Sequence, residues 1–221
     1  MAPLALEVRD LVVPGEDGRP ILVLPVLDLA AGGTLGVAGP SGAGKSTLLL
    51  ALAGLAPGMT GRVAWGGADI AAMRPAARAR FRRRHLGLVF QDHLLLDELD
   101  AGANAALAAL WTPRGDRARI RRAARLALDV LGVPALRRAA LLSGGERQRA
   151  AIARALATAP SALLADEPTA SLHADAAVEV GQRLAALRGA QTLVAASHDA
   201  AFLARLGRVL RVEHGAAVAV P

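Results

Sequence analysis

The stretch "GPSGAGKST", Gly39 to Thr47, holds the only lysine of the chain, Lys45. It has the form G-x-x-x-x-G-K-[ST], in which glycines let the backbone wrap a phosphate. The lysine then reaches the β- and γ-phosphates, and the following hydroxyl, here Ser46, sits on Mg²⁺. A strand candidate, "TLGVA", precedes the loop and a helix former, "STLLLALAGL", follows it, which is the setting the motif needs. Arginine supplies the positive side-chain charge everywhere else. Its bulky fork does not replace a compact ammonium threaded into a loop, so chemistry fixes Lys45.

Working outward, four short apolar runs end in polar residues. "TLGVA" runs into Gly39, "LGLVF" into Gln91, "SALLA" into Asp166 and Glu167, and "TLVAAS" into His198. The runs lack strict alternation, as expected of strands buried on both faces of a parallel sheet. Ligands of open α/β sheets bind at the carboxyl ends of the strands, so a shared sheet would bring Lys45, Gln91, Asp166, Glu167 and His198 to one edge. Their chemistry suits a nucleoside triphosphate. Asp166 fits a contact to Mg²⁺, Glu167 can accept a proton from an attacking water, and Gln91 and His198 can orient that water and the γ-phosphate.

A second glycine-bearing stretch, "LLSGGERQRAAIARAL", Leu141 to Leu156, starts a good helix badly. Ser143 and Glu146 form a capping box, which leaves Gly144 and Gly145, residues that cost a helix, at its first two positions. The stretch reads either as a capped helix without a ligand or as a helix N-terminus laid bare for an anion.

Composition sets the outer bounds. With 221 residues, 53% of them hydrophobic, the chain can bury a real core. It has no cysteine, hence no disulfide and no thiolate metal site. Glu7, Arg9 and Asp10 break the first apolar stretch, arguing against a signal peptide. No apolar run is long enough to cross a bilayer, so a cytoplasmic protein is expected, with any membrane role coming through a partner. The net charge of +7 gathers in "MRPAARARFRRRH", Met73 to His85, and "RGDRARIRRAAR", Arg114 to Arg125. These runs are read as solvated helix faces rather than a base-stacking nucleic-acid surface, with an anionic membrane surface or acidic partner left open.

Together these motifs resemble the ATP-binding cassette (ABC) ATPases over nearly the whole chain. "GPSGAGKST" is similar to the Walker A loop, Gln91 to the Q-loop glutamine and "LSGGE", Leu142 to Glu146, to the family signature. "SALLADE" is similar to the Walker B strand with its catalytic glutamate, and His198 to the switch histidine. The stretches Val89 to Leu107 and Leu163 to Leu172 look most like the branch serving lipoprotein release, macrolide export and the cell-division pair FtsE with FtsX. The resemblance implies an α/β P-loop NTPase fold. A RecA-like core with a mainly parallel sheet, residues 1–91 and 143–221, would carry a small antiparallel β part and a helical subdomain of about 92–142.

It implies ATP and Mg²⁺ as ligands. Nucleotide would be held by Gly39, Pro40, Ser41, Gly42, Ala43, Gly44, Lys45, Ser46 and Thr47, and metal by Ser46, Gln91 and Asp166. Glu167, His198 and Gln91 would act in catalysis. Ser143, Gly144 and Gly145 would meet the γ-phosphate on a second cassette chain, whether identical or related. The implied protein is a peripheral subunit on the cytoplasmic face of the plasma membrane, driving an integral membrane permease by dimer closure, with no nucleic acid expected. Two other readings stand beside it: an FtsE-like ATPase that signals through a membrane partner without moving solute, and a soluble cassette ATPase acting on nucleic acid.

Two departures from the family pattern stand out. The stretch "VVPGEDGRPI", Val12 to Ile21, lacks the aromatic that stacks on adenine, so contacts from Val13 or Arg19 and weakened base selectivity are expected. In "TASLHAD", His173 replaces the usual aspartate, which points to altered communication between the sites of a dimer. His85, His93 and His214 have no metal spacing.

Overall fold

The computed structural model describes residues 1–213 and 215–220, with side chains described as far as residue 216; His214 lies outside the described residues. In chain order the strands are β1 (Leu6–Pro14), β2 (Pro20–Leu29), β3 (Thr34–Ala38), β4 (Thr60–Trp65), β5 (Ala68–Asp69), β6 (Leu86–Val89), β7 (Ala162–Asp166), β8 (Thr192–Ala196), β9 (Arg208–Glu213) and β10 (Ala216–Val220). The helices are α1 (Lys45–Leu52), α2 (Pro75–His85), α3 (Ala101–Ala105), α4 (Arg114–Val130), α5 (Gly144–Leu156), α6 (Ala174–Ala185) and α7 (Ala200–Leu203).

The four apolar runs of the sequence are β3, β8, β7 and β6, parallel and adjacent in that order. Their side chains alternate between two cores, as a pleated strand requires. Leu164, Val194 and Ala196 join Leu48 and Leu52 of α1, whereas Leu163, Ala165, Leu193 and Ala195 join Ile152 of α5, Leu184 of α6 and Phe202 of α7. On the other flank β9 runs parallel to β3. The outer strands β1, β2, β4 and β5 pair antiparallel. Strand β10 joins the halves, antiparallel to β9 and touching β2 through Ala216 and Val23. Trp65 is fully buried at the end of β4, and its Nε1 donates to Leu52 O at 2.8 Å. Truncating an indole so placed costs about 3–5 kcal/mol, so this contact ties the antiparallel part firmly to α1.

Between residues 92 and 142 lie α3, a 3₁₀ turn at Leu107–Trp111 and α4. Helix α4 buries Ile120, Ala124 and Leu128, one stripe at a spacing of four, and packs on α3 and α5. Helix α2 is held differently, because none of its residues is buried. Arg78 and Arg82 share a face, and their guanidiniums donate to the carbonyls of Ala71, Met73 and Gly54. Burial and the nearby Arg78 lower the pKa of Arg82.

Candidate active site

The phosphate-binding loop leaves β3 through a position only glycine can fill. Gly39 has φ +151°, and a Cβ there would lie 2.1 Å from Val212 O. Gly42 and Gly44 follow at φ +77° and +105°, and Gly44 caps α1. With such angles the loop can turn its N–H groups toward an anion at the helix N-terminus. Lys45 is buried, and its Nζ donates to Gly39 O at 2.9 Å, Pro40 O at 3.1 Å and His198 Nε2 at 2.9 Å. An ammonium can only donate, so in this contact His198 Nε2 is the acceptor.

The strand ends meet as their shared sheet requires. A pocket of about 650 Å³ is lined by Ser41, Gly42, Gly44, Lys45, Ser46, Thr47, Gln91, Asp166, Glu167 and His198, a volume that suits a nucleotide-sized ligand. Gly39, Pro40 and Ala43 frame the loop behind it, with Ala43 N–H donating to Pro40 O. Asp166 and Glu167 are buried, and among the described residues Asp166 Oδ1 and Glu167 Oε1 have no hydrogen-bond partner. Two buried carboxylates with bare oxygens are costly without a cation, and they fit Mg²⁺. Among the described residues no cluster of three or more acidic, His or Cys side chains could cage a metal.

Glu167 stands in the left-handed region at φ +47°, a conformation that costs a non-glycine residue about 1–2 kcal/mol. Its N–H donates to Ala196 O at 2.9 Å. Its Oε2 accepts from His198 N at 3.2 Å and Ser197 Oγ at 3.4 Å, while Oε1 lies 3.4 Å from His198 Nε2. Ser197 thus fixes the carboxylate. The sequence reading missed it, although it sits beside His198 at the end of its strand.

Ser143, Gly144 and Gly145 do not line this pocket. Ser143 Oγ accepts from Glu146 N–H at 3.3 Å and Glu146 Oε2 accepts from Ser143 N–H at 2.8 Å, the expected capping box. The Ser143 N–H bond holds the Glu146 carboxyl below its ordinary pKa. Gly144 has no positive φ, and a Cβ there would meet only Ser171 Cβ, at 3.9 Å. Among the described residues nothing requires a glycine at this position.

The loop after Gln91 was not legible in the sequence. His93 and Leu94 take φ +60° and +49°, and α5 fastens both. Arg154 donates to His93 O at 2.6 Å and also to Leu94 O, His93 Nε2 donates to buried Gln148 Oε1 at 2.7 Å, and Arg147 pairs with Asp97 at 2.8 Å. Burial lowers the pKa of His93 despite the Gln148 bond, and Arg147 and Arg154 add to the effect. Of the two residues expected near adenine, Val13 is buried in the core and Arg19 is exposed. Val13 therefore offers no surface to a base. His173 is the N-cap of α6 and makes no capping hydrogen bond.

Residues 25–170 match the family model described as ABC transporter. The chain is an ABC transporter ATPase subunit. This ATPase is 43% identical over 211 residues to the lipoprotein-releasing system ATP-binding protein LolD of Ruegeria sp. (strain TM1040), covering 93% of this chain and 91% of that protein. It is 39% identical over 210 residues to the macrolide export ATP-binding/permease protein MacB 1 of Aeromonas hydrophila, covering 93% of this chain and 32% of that longer one. Its fold superposes with TM-score 0.87 and 27% identity on the ATP-binding cassette MJ0796, solved as a dimer in a post-hydrolysis state with ADP and Pi, over 98% of this chain and 99% of that one. The lipoprotein-release and macrolide-export resemblance read from the sequence is borne out by these relatives. Among the described residues no helix is long and apolar enough to cross a membrane.

Proposed function

We propose that the pocket holds Mg²⁺-ATP, that two cassettes complete each site together, and that their closure drives an integral membrane permease. Lys45 offsets charge on the β- and γ-phosphates, and the loop N–H groups from Ser41 to Thr47 cradle them. Ser46, Gln91 and Asp166 hold the metal, which supplies charge neutralisation at the phosphates. Glu167 accepts a proton from water attacking the γ-phosphorus. The bond from that phosphorus to the β,γ-bridging oxygen breaks, releasing ADP and phosphate. Gln91 and His198 orient the water, and for His198 this means leaving Lys45.

The observation that carries the dimer is Gly144, a glycine on an exposed, capped helix start that the chain's own packing does not need. Bare backbone there suits the γ-phosphate of a second chain, with Ser143 and Gly145 beside it. Residues 92–142 form the moving helical subdomain on a core of 1–91 and 143–221. A groove of about 380 Å³, lined by Leu88, Phe90, Leu94 and Leu107 beside the loop that follows Gln91, receives the permease. On this reading the subunit lies peripherally on the cytoplasmic face of the plasma membrane.

The test is Glu167→Gln with ATP and Mg²⁺. Phosphate release should fall by at least about a thousandfold, the scale of removing a positioned base, while ATP drives a dimer visible by light scattering. Ordinary turnover in that variant would remove Glu167 as the base. A monomer with ATP bound would remove the shared site. With no aromatic near the base, GTP should be hydrolysed within a few-fold of ATP; a strong preference for ATP would reject that reading.

A further inference from the structure

The two arginine-rich runs, some thirty residues apart in sequence, face each other in the fold. Helices α2 and α4 border a groove of about 720 Å³ lined by Arg80, Arg83, Arg84 and Arg119, with Met73, Phe81 and Ile120 among its apolar lining. At its edge Trp111 is 61% exposed and the adjacent Leu110 60%, a large apolar tip beside a cationic trough. Among the described residues Arg80, Arg83 and Arg84 are exposed and make no hydrogen bond or ion pair, unlike Arg78 and Arg82 on the opposite face. The lining includes one acidic residue, Asp116, which lies 3.5 Å from Arg119.

Helix α2 therefore divides its arginines by face. One pair anchors the helix to backbone carbonyls, and the other guanidiniums point outward without partners. Free guanidiniums next to an exposed indole and leucine match a lipid interface, where arginine meets headgroup phosphates and tryptophan lies at headgroup depth. The charge complement of this trough is an anionic surface, and Arg83 and Thr158 also line the apolar groove assigned above to the permease. The two grooves are thus neighbours on either side of α2. We propose that the α2–α4 groove rests on anionic phospholipid headgroups, so that the ATPase touches the bilayer directly beside its membrane partner. This orientation rests on the permease reading; binding to lipid can be measured without it.

The test is sedimentation of the intact chain with large vesicles of phosphatidylglycerol mixed into phosphatidylcholine, against pure phosphatidylcholine. Binding should need phosphatidylglycerol and should weaken as salt is raised. Arg80→Gln with Arg84→Gln should weaken it about thirtyfold, from about a factor of five per arginine near such a surface. Trp111→Ala should weaken it further. Both variants should keep ATP turnover in solution, which separates this result from failure of the catalytic reading. The charge-matched pair Arg188→Gln with Arg205→Gln, on exposed positions outside the groove, should bind as the parent does. Equal loss in that control pair would reduce the effect to net charge and overturn the proposal. So would absence of vesicle binding, or tighter binding to polyglutamate or to double-stranded DNA than to the vesicles, which would reassign the groove to an acidic protein or a nucleic acid.

Discussion

The two glycine-bearing helix starts, at α1 and α5, carry glycine for opposite reasons. In the phosphate-binding loop the chain itself demands it, since any Cβ at position 39 would clash with Val212 O and Gly42 and Gly44 take left-handed angles. At α5, Gly144 has ordinary helical geometry, and a Cβ there would make only an ordinary contact with Ser171. A glycine that its own chain needs belongs to the fold. One that its own chain does not need points to something outside it. The contrast also separates two kinds of damage, because substitutions at the first should harm folding and substitutions at the second should harm assembly.

Gly39→Ala should break the first region most severely. A methyl placed against a backbone carbonyl at a forbidden angle costs about 2–4 kcal/mol, read as a lower urea midpoint, and nucleotide binding should be lost with it. Unchanged stability would dissolve the contrast. Gly144→Ala should do the reverse, raising chain stability by a few tenths to about 1 kcal/mol. It should also cut ATP turnover at least about tenfold, equivalent to about 1.4 kcal/mol at the transition state. Normal turnover with normal dimerisation would return the glycine to a merely local role.

Smaller effects sharpen the picture at other helix starts. Ser143→Ala should lose about 1 kcal/mol of cap stabilisation. His173→Asp should gain up to about 1 kcal/mol, because a carboxylate at the N-cap of α6 could accept an N–H that the imidazole leaves without a cap; thermal unfolding reads both. The pH dependence of stability carries the last prediction. The pKa of His93 is lowered in the folded state, so the unfolded chain takes up the proton first as pH falls. Stability conferred by the neutral ring is complete above the ordinary imidazole pKa and is lost as pH drops below it toward the folded value. His93→Gln should flatten that slope in acid denaturation between neutral and mildly acidic pH.

Much of this was legible in the sequence because it rests on short-range signals. The four parallel strands announced themselves as short apolar runs with polar ends, and the cap of α5 as Ser143 followed by Glu146. Lys45, Asp166, Glu167 and His198 share a pocket because parallel strands in one sheet leave their carboxyl ends on one side. What stayed hidden depends on partners distant in sequence. The junction of β10 with β2 is a single long-range pairing, and no local pattern encodes it. The left-handed turn at His93 and Leu94 runs against the preference of leucine, and it is held by Arg154 from another element. Likewise the basic runs read as two solvated faces, since nothing local says that α2 and α4 border one groove, or that Trp111 reaches it.

Helix α5 is a stiff bar between two sites. Its 13 residues make a rod of about 20 Å at 1.5 Å per residue. One end is the bare, capped start proposed above to meet another chain's nucleotide. Farther along, Gln148 and Arg154 grip the turn just past Gln91. A push on the tip therefore reaches a contact of the chain's own pocket through a stiff bar rather than a slack loop. Two such bars, crossed in a head-to-tail pair, would let each nucleotide report its arrival to the other.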